Sequence, residues 1–568
     1  MATQYNNTQS EDASLVSRLR DERNSYMYMW RRLNEFYEMR QDLFDDYSSG
    51  TNARDGETYW SNSIVDESAT LTIQTSTAGM QSGITPPSRP WFVLESYRPQ
   101  NSLSRDERIW YDKVTLIQQT SLHFTNFYTE TIPFYHNLLV YGTALMYMEE
   151  TNDDSYAWFK TLPMGSFMIG SDHRDNVNTV VREYRMTTSQ LEEMFGFENL
   201  SDRTQQMLRD GKTQEWVQVQ HIVKPNRKYV SGSDNKMSKK FISRHVESTA
   251  QTSNTTINLS NPQDYHVLRT GGYDNFPYFC ARWALRSGEV YANSCPGINA
   301  LPSTMQLQNL NIRDAQGLEY QVNPHLLAPS ILRGENTSFL PGGVSFVGDN
   351  EGLKGFKSAF EINYARNEIL ELEEIVRQRI SKAFYENLFL NNSQIGNRDR
   401  VTATEIDSRD EEKYAALSPT MERLDKDFLY RVNSNFFNTL HKAGRFPDAP
   451  SGIQGEPIKV RPISTLAQAQ HYLALGQLDR FSTFVANLSQ FAPDVLYKID
   501  FDVILEKYGE ITGIPQEALR ESEAVAALKE ATEQRQQQAE QAQSLQSEAS
   551  ALKDLAEAGV LGGERKVS

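Results

Sequence analysis

The stretch INYARNEILELEEIVRQRISKAFYENL, Ile362–Leu388, predicts one long α-helix with a single apolar stripe. Its apolar residues recur at every third or fourth position, which is the spacing of one helical face. At 1.5 Å per residue this helix would be about 40 Å long. A helix of this kind usually packs on equivalent helices. The side chains expected to make that contact are Ile369, Leu372, Ile375, Val376 and Ile380.

The segments before this helix predict a second helix and a short β-rich excursion. LPSTMQLQNLNIRDAQGLEYQVNP begins with Pro302 and a candidate N-cap, Ser303, and stops at Pro324, which indicates a helix. Its apolar positions are sparse for a helix buried in a core. HLLAPSILRGENTSFLPGGVSFVGDNEG, residues 325–352, is rich in Pro, Gly and Asn and contains the β-prone piece GVSFVG. It therefore predicts turns and short strands.

A polar loop, FLNNSQIGNRDRV (residues 389–401), follows the long helix and has no obvious core to join. Thr402 and Glu405 then form a capping box, so the next helix is predicted to start at Ala403. A further helix is predicted from the cap Ser418 to Gly444. Its apolar positions are Leu424, Phe428, Leu429, Val432, Phe436 and Leu440.

The N-terminal half predicts an α+β fold. About 45 residues at the start fit a helix by their apolar spacing, and a second helix is predicted from Ser63 toward Gly83. GITPPSRPWF then holds the chain extended and delivers Trp91 and Phe92 to a fixed place. Between about Leu138 and Leu285, TVVREYRM and EWVQVQHIV carry clustered or alternating β-branched residues, which predicts strands.

Composition disfavours several functional classes. The 568-residue chain has a net charge of −17 and a pI near 5.2. Tight static binding to DNA needs a basic protein or a basic face, so it is disfavoured, whereas transient passage of DNA is not. Two cysteines without a C-x-x-C motif argue against a disulfide framework and a zinc site, and favour a reducing compartment. The N-terminus lacks a secretory pattern, and the most apolar stretch, residues 132–148, is short and interrupted for a membrane span.

Sequence motifs for catalysis and for cofactors are missing. No G-x-x-x-x-G-K-[ST] loop occurs, and GGVSFVG has Val347 where a nucleophile elbow needs glycine. Asp500 and Asp502 in KIDFDVI are candidate metal ligands, although a helix cap or a surface pair explains them more simply. We therefore predict no cofactor, no metal and no enzymatic activity.

The chain after residue 509 contains no aromatic residue and is rich in Ala, Gln and Glu. This composition has a high helix propensity but only a thin apolar stripe, so the helix would be marginal alone. Bundled with copies of itself, it could form a helical barrel.

Several stretches, in fixed order, resemble the head-to-tail connecting proteins, or portals, of short-tailed bacteriophages. The likeness runs from about Leu19 to Val525. The stretches are DESATLTIQTSTAGMQSGITPPSRPWFVLE, VYGTALMYMEE, LPMGSFMIGSD, VVREYRM, ARWALRSGEVYANSCPGINALPS, RVTATEIDSRDEEKYAALSPTMERL and LAQAQ.

The resemblance implies a ring, usually of twelve copies, at one vertex of the capsid. Through it double-stranded DNA is packaged and ejected, while terminase and later the tail adaptor dock on it. It implies an α+β portal fold with these parts: an N-terminal wing (1–301), a first stem helix (302–323), a clip (324–361), a second stem helix (362–388), a tunnel loop (389–402), a helical wing return (403–508) and a C-terminal crown or barrel (509–568).

The resemblance also implies roles for named residues. The tunnel-loop residues, which would face DNA, are Asn391, Asn392, Gln394, Asn397, Arg398 and Arg400; the clip residues, which would dock terminase large subunit or adaptor, are Arg333, Glu335, Asn336 and Phe339. Arg398 and Arg400 would touch phosphates weakly without reading bases, while an acidic bore would keep the duplex from sticking. The plainer alternative is a solvated loop with no partner. Capsid and scaffolding protein are further implied partners, the location is the virion after synthesis in the host cytoplasm, and no membrane is involved.

Two alternatives from other classes stay open at this point. In a monomeric viral adaptor or scaffolding protein, the one-striped helices would pack within the chain, so oligomer mass separates it from the ring. In a metal-dependent nuclease, Asp500 and Asp502 would be ligands and Asp→Asn changes would abolish the activity.

Overall fold

The computed structural model of the chain has an α+β fold. It describes residues 2–39, 63–98, 103–151, 153–232, 235–247, 265–329, 344–347, 357–358, 366–386 and 419–463, with isolated positions in 484–485 and 532–553. The helices are α1 (Ala2–Tyr37), α2 (Ser68–Ile84), α3 (Arg105–His123), α4 (Phe127–Tyr141), α5 (Thr188–Phe195), α6 (Asp202–Arg209), α7 (Pro296–Val322), α8 (Arg366–Ala383) and, after a π-helical turn (Asp425–Leu429), α9 (Tyr430–Lys442). The strands are β1 (Phe92–Ser96), β2 (Thr143–Glu150), β3 (Ala157–Thr161), β4 (Phe167–Ser171), β5 (Val177–Thr187), β6 (Trp216–Pro225), β7 (Phe241–Glu247), β8 (His266–Tyr273), β9 (Tyr278–Arg282), β10 (Leu326–Pro329), β11 (Val344–Val347), β12 (Lys357–Ser358) and β13 (Ile458–Pro462).

The largest sheet is an antiparallel meander in the order β4-β5-β6-β7-β8. The strands predicted from TVVREYRM and EWVQVQHIV are confirmed as parts of β5 and β6. Successive residues of a strand point to opposite faces, and here both faces are covered. Val181 packs with Val16 and Leu19 of α1, while its neighbour Val180 packs in the cluster that contains Leu307 of α7.

Two buried carboxylates fasten α1 to this sheet. Asp12 is fully buried and forms ion pairs with Lys224 (2.7 Å) and with Arg244. Glu183 on β5 forms ion pairs with Arg20 (2.9 Å) and Arg23 (2.8 Å) of the same helix. The periodicity of α1 predicts a packed helix, but not these partners, which lie more than a hundred residues away along the chain.

The apolar stretch of residues 132–148 is a helix that turns directly into a strand. Helix α4 ends at Tyr141, Gly142 has φ +77°, and β2 begins at Thr143 in the sheet β3-β2-β9. A side chain on Gly142 would also lie 2.9 Å from the Cβ of Ala292. Both the positive φ and the close approach therefore require glycine at this corner.

The predicted helix from Ser418 is confirmed in its packing. All six of its predicted apolar positions are at most 2% exposed, and the ring of Phe428 stacks on that of Phe134 at 4.0 Å. The predicted helical return also contains a strand that the sequence did not indicate, since β13 pairs antiparallel with β1. That partner strand begins directly after the predicted proline turn, and Trp91 and Phe92 are buried there as expected. Sequence periodicity could not show a pairing between strands so far apart.

A pair of stacked histidines lies inside the large sheet. The rings of His221 and His245 are 4.0 Å apart and nearly parallel, and each side chain is buried. His221 hydrogen-bonds through its two ring nitrogens to the hydroxyls of Tyr278 (2.6 Å) and Ser243 (2.8 Å). Burial, together with nearby Arg269 and Arg182, lowers the pKa of His245 to about 3, and burial and the neighbouring His245 lower the pKa of His221 well below its ordinary value.

We expect this pair to make the protein lose stability in mild acid. The unfolded chain binds a proton at each imidazole near pH 6.5, whereas the folded chain does not, so stability falls as pH drops below 6.5 toward the folded pKa. The slope is at most about 1.4 kcal/mol per pH unit for each histidine. Urea denaturation at pH 7.0, 6.0 and 5.0 measures it.

The matched control for this prediction is His245→Gln, which keeps a partner for the Tyr184 hydroxyl but does not titrate. Its acid slope should be shallower than that of the unmodified protein. The buried carboxyl of Asp425, whose pKa burial raises to about 6, contributes with the opposite sign in both proteins and cancels in the comparison. Equal slopes in the two proteins would contradict the prediction.

Candidate functional site

The helices α7 and α8 pack against each other in antiparallel directions and form the centre of the predicted assembly site. The direction follows from their contacts. Arg366 at the start of α8 lies 3.8 Å from Asp314 of α7. Arg377, further along α8, bonds Asp66, which also bonds Gln308, an earlier residue of α7. The pair stands on the N-terminal core, because the ring of Phe384 meets that of Tyr37 and the Tyr37 hydroxyl donates to the Gly297 carbonyl at 2.8 Å.

Helix α7 begins earlier than predicted. The start was expected at Pro302 with Ser303 as cap, but Pro296 occupies the first turn and the Sγ of Cys295 accepts a hydrogen bond from the Ile298 N–H (3.4 Å). Pro302 lies inside the helix, where its missing N–H leaves one carbonyl without its usual partner. Gly297 is required because its Cα meets the backbone of Val140 too closely for a side chain.

Helix α8 ends at Ala383, before the predicted Leu388. Phe384 and Tyr385 form a turn, and Tyr385 has φ +59°, a left-handed conformation that a continuing helix cannot contain. The apolar periodicity continues past this point, so the sequence pattern alone could not locate the stop.

A polar junction joins the base of this helix pair to the segment before α2. The Gln308 side chain, 2% exposed, accepts from the backbone N–H groups of Val65 (2.7 Å) and Asp66 (2.8 Å) and donates to the Asp66 carbonyl (2.8 Å). Asp66 also accepts from Arg377 at 2.9 Å. Helix α2 begins at Ser68, not at the predicted Ser63, and the residues just before it are bonded to Gln308.

Hydrogen bonds at this junction favour the ionised form of Asp66. Burial alone would raise the pKa of its carboxyl group, but hydrogen bonds from Ser68 and Arg377 outweigh burial and lower it. Sequence reasoning missed Asp66 and Gln308 as parts of the site. The one available signal was that Asp66 opens the first stretch that resembles the portal family.

The five predicted packing residues of α8 divide into two groups. Val376 and Ile380 are at most 1% exposed and pack inside the chain, and Ile369 is half-buried. Leu372 and Ile375 are 36% and 41% exposed. Val376 and Ile380 therefore pack within the single chain, while the predicted contact with equivalent helices stays a prediction.

Comparison with known proteins identifies the family. The family model described as bacteriophage head to tail connecting protein matches residues 9–519. The portal protein of Salmonella phage epsilon15 is 30% identical over 515 residues, which cover 91% of this chain and 89% of that protein. The chain belongs to the head-to-tail connecting, or portal, protein family. The probable portal protein of Bordetella phage BPP-1 is 31% identical over 528 residues, 92% of this chain and 91% of that protein.

Membership of the portal family confirms the resemblance seen in the sequence, and its match begins ten residues before the expected Leu19. Portal proteins are structural components of the head-to-tail connection of the virion, not enzymes. Across the part of the chain that the structure describes, no group of three or more His, Cys, Asp or Glu side chains is arranged to hold a metal ion. None of the described helices combines the length and apolar content needed to cross a bilayer.

The predicted clip of this portal-family chain contains the expected short strands. β10 pairs in parallel with β11 and antiparallel with β12, which confirms the turn-and-strand prediction for the residues described there. The other predicted site residues lie outside the described residues and are Arg333, Glu335, Asn336, Phe339, Asn391, Asn392, Gln394, Asn397, Arg398 and Arg400. Asp500 and Asp502, the candidate metal ligands, also lie outside them, as does nearly all of the tail after residue 509.

Proposed function

We propose that copies of this portal-family chain close into a ring, usually of twelve, at one capsid vertex, and that its bore is the channel for double-stranded DNA during packaging and ejection. The observation that carries the proposal is the exposed apolar flank of α8, formed by Leu372 and Ile375. Family membership over nearly the whole chain supports it.

Helix geometry explains why this flank suits a second copy. At about 100° per residue, the buried positions Glu373, Val376 and Ile380 cluster on one face, whereas Leu372 and Ile375 turn progressively away from it. Ile312 on α7 is likewise 37% exposed. A monomer leaves these side chains in water, and a neighbouring helix pair would cover them, as in other helix bundles.

The predicted tunnel loop supplies the DNA contact in this proposal. Its polar side chains can approach the phosphate backbone from many angles without reading bases. Arg398 and Arg400 would make weak ionic contacts, while the net charge of −17 keeps the duplex from adhering to the bore. Weak contact is what a channel for moving DNA requires.

The clip is the proposed docking surface for the terminase large subunit during packaging and for the tail adaptor afterwards. Arg333, Glu335, Asn336 and Phe339 combine charged, polar and aromatic side chains between β10 and β11. Capsid and scaffolding proteins are the proposed partners of the wing, in a virion assembled in the host cytoplasm. The structural character of the family disfavours the nuclease alternative.

The monomeric adaptor or scaffolding alternative differs from the ring in the mass of the purified protein. Native mass spectrometry of the purified protein, followed by end-on particle images, should give a closed ring of about twelve subunits with a central hole. A stable monomer at high concentration, also in the presence of capsid and scaffolding protein, would favour the alternative.

Arg398→Ala/Arg400→Ala should leave the ring intact and reduce DNA packaging or retention; normal packaging would remove the loop from the channel mechanism.

A further inference from the structure

The hairpin that joins β6 and β7 is basic in a strongly acidic protein. Six lysine or arginine residues and a single acid, Asp234, fall between residues 224 and 240: Lys224, Arg227, Lys228, Lys236, Lys239 and Lys240. Lys224 pairs with Asp12 (2.7 Å) and Lys239 with Asp274 (3.1 Å), so these two charges are used within the chain. The others are exposed and form no ion pair with any residue that the structure describes.

Exposed apolar side chains lie among these cations. Tyr229 is 48%, Val230 57% and Met237 49% exposed. We call the group formed by Arg227, Lys228, Lys236, Lys240, Tyr229, Val230 and Met237 the basic tip. Tyr, Met and Arg are enriched at protein interfaces, whereas Lys, which supplies three of these seven residues, is depleted there.

Hydrogen bonds to the backbone join the two described arms of the basic tip. The Val230 N–H donates to the Ser238 carbonyl at 3.0 Å, and the Asn226 side chain donates to the carbonyls of Met237 and Lys239, both at 2.8 Å. Gly272 of β8 packs against the Lys236 carbonyl more closely than any side chain would allow. Backbone held in this way loses little conformational entropy on binding, so the entropy cost comes from the long side chains of the tip.

The opposite end of the same sheet carries the opposite charge. Helices α5 and α6 lie between the end of β5 and the start of β6, whereas the hairpin follows the end of β6. The ten residues of β6 separate the two ends by about 30 Å. We call the exposed acids of this end, together with half-exposed Trp216, the acidic cap; they are Glu192, Glu193, Glu198, Asp202, Asp210 and Glu215. Three bases, Arg203, Arg209 and Lys212, lie among them, so six acids against three bases give residues 188–216 a net charge of −3.

We propose that the basic tip of one copy binds the acidic cap of the next copy in the ring. This inference rests on the proposed function, and it names the surfaces through which neighbouring wings meet. A ring is built from heterologous contacts, in which one patch of each copy binds a different patch of the next copy. A symmetric dimer through either patch would instead bring like charges together.

The chemistry of the tip favours a protein partner over DNA. Phosphates would satisfy the cations but would leave Tyr229, Val230 and Met237 without apolar contacts. The acidic cap supplies carboxylates and the ring of Trp216 together. Binding should therefore weaken with salt without being abolished by it.

Disulfide cross-linking tests the proposal directly, because both native cysteines, Cys280 and Cys295, are buried. Lys228→Cys combined with Glu193→Cys in one chain should give a ladder of covalent oligomers under mild oxidation. Each single variant should give dimers at most. The control is Lys113→Cys with Glu193→Cys, in which exposed Lys113 on α3 replaces the tip position.

The outcomes separate this inference from the proposed function. At least tenfold more covalent oligomer in Lys228→Cys/Glu193→Cys than in the control supports the contact between the basic tip and the acidic cap. Rings of normal mass with no more ladder than the control overturn it, while the proposed function stands. Absence of both ring and ladder removes the proposed function and the inference together. If Lys228→Glu/Lys236→Glu forms normal rings but binds a DNA duplex less than the unmodified protein, the tip is a DNA contact and the inference is wrong.

Discussion

Replacing Glu183 by alanine should lower the free energy of unfolding by about 3–5 kcal/mol, the usual cost of removing one partner from a buried ion pair. The Glu183 side chain is 2% exposed and accepts from Arg20, Arg23 and the Gln220 amide (2.9 Å). Burial opposes its charge, but Arg23 and Arg20 outweigh burial and lower the pKa of its carboxyl group. Alanine at residue 183 would remove the carboxylate that both of these largely buried guanidinium groups bind.

Urea denaturation at pH 7 measures this loss, with Lys442→Ala as the control. Lys442 and Glu150 form an ion pair at 3.3 Å whose side chains are 51% and 53% exposed. Such a surface pair contributes about 0–1 kcal/mol. A loss from Glu183→Ala no larger than that of the control would show that α1 is held by apolar packing, not by its buried charges.

The contacts of α1 show where sequence reasoning ends. Its apolar periodicity predicts a helix, but nothing in the sequence around Asp12 distinguishes this residue from a solvated acid on the same helix. Its burial depends on Lys224, Arg244 and the Tyr265 hydroxyl (2.9 Å), which only the folded chain brings together. A pairing over such a distance leaves no periodic signal in the sequence.

Local signals were sufficient where packing follows from periodicity alone. The apolar positions of the segment from Ser418 are all buried, and the β-branched runs of the N-terminal half are strands. Local signals gave a wrong helix start where a residue type that usually begins a helix lies inside one. Pro302 lies inside α7 because Cys295 and Pro296 already start that helix. Likewise, no pattern within Ile458–Pro462 indicates that it pairs with β1.

The sequence predicts an apolar stripe along α8, but it cannot show which surfaces that stripe contacts. A stripe that includes Leu372, Ile375, Val376 and Ile380 is wider than the contact with α7 can cover. Val376 and Ile380 lie in the buried cluster that contains Leu307 of α7, whereas Leu372 and Ile375 are exposed. The remainder of the stripe is what a neighbouring copy would bury in the proposed ring.

Leu372→Glu/Ile375→Glu should therefore abolish the ring while leaving the fold of the single chain intact. Both positions are only partly covered in the single chain, 36% and 41% exposed, so the double variant should lower the free energy of unfolding by no more than about 1–2 kcal/mol, part of it from repulsion among the five glutamates created at 371–375. In the ring each carboxylate would lose its water, at a cost of about 2 kcal/mol or more. The double variant should raise the concentration for half-assembly roughly 100-fold or more.

The matched control is Ile380→Ala, on the same helix but 1% exposed. It should cost about 2–5 kcal/mol of folding stability, because it leaves a cavity within the core. Sedimentation velocity reports the ring and urea denaturation reports the fold, so the two variants should fail in different assays. If Leu372→Glu/Ile375→Glu sediments as a ring of unchanged mass, this flank faces solvent in the assembly and the helix pair meets its neighbours elsewhere. If it unfolds instead, Leu372 and Ile375 belong to the core of the chain, and their exposure carries no information about assembly.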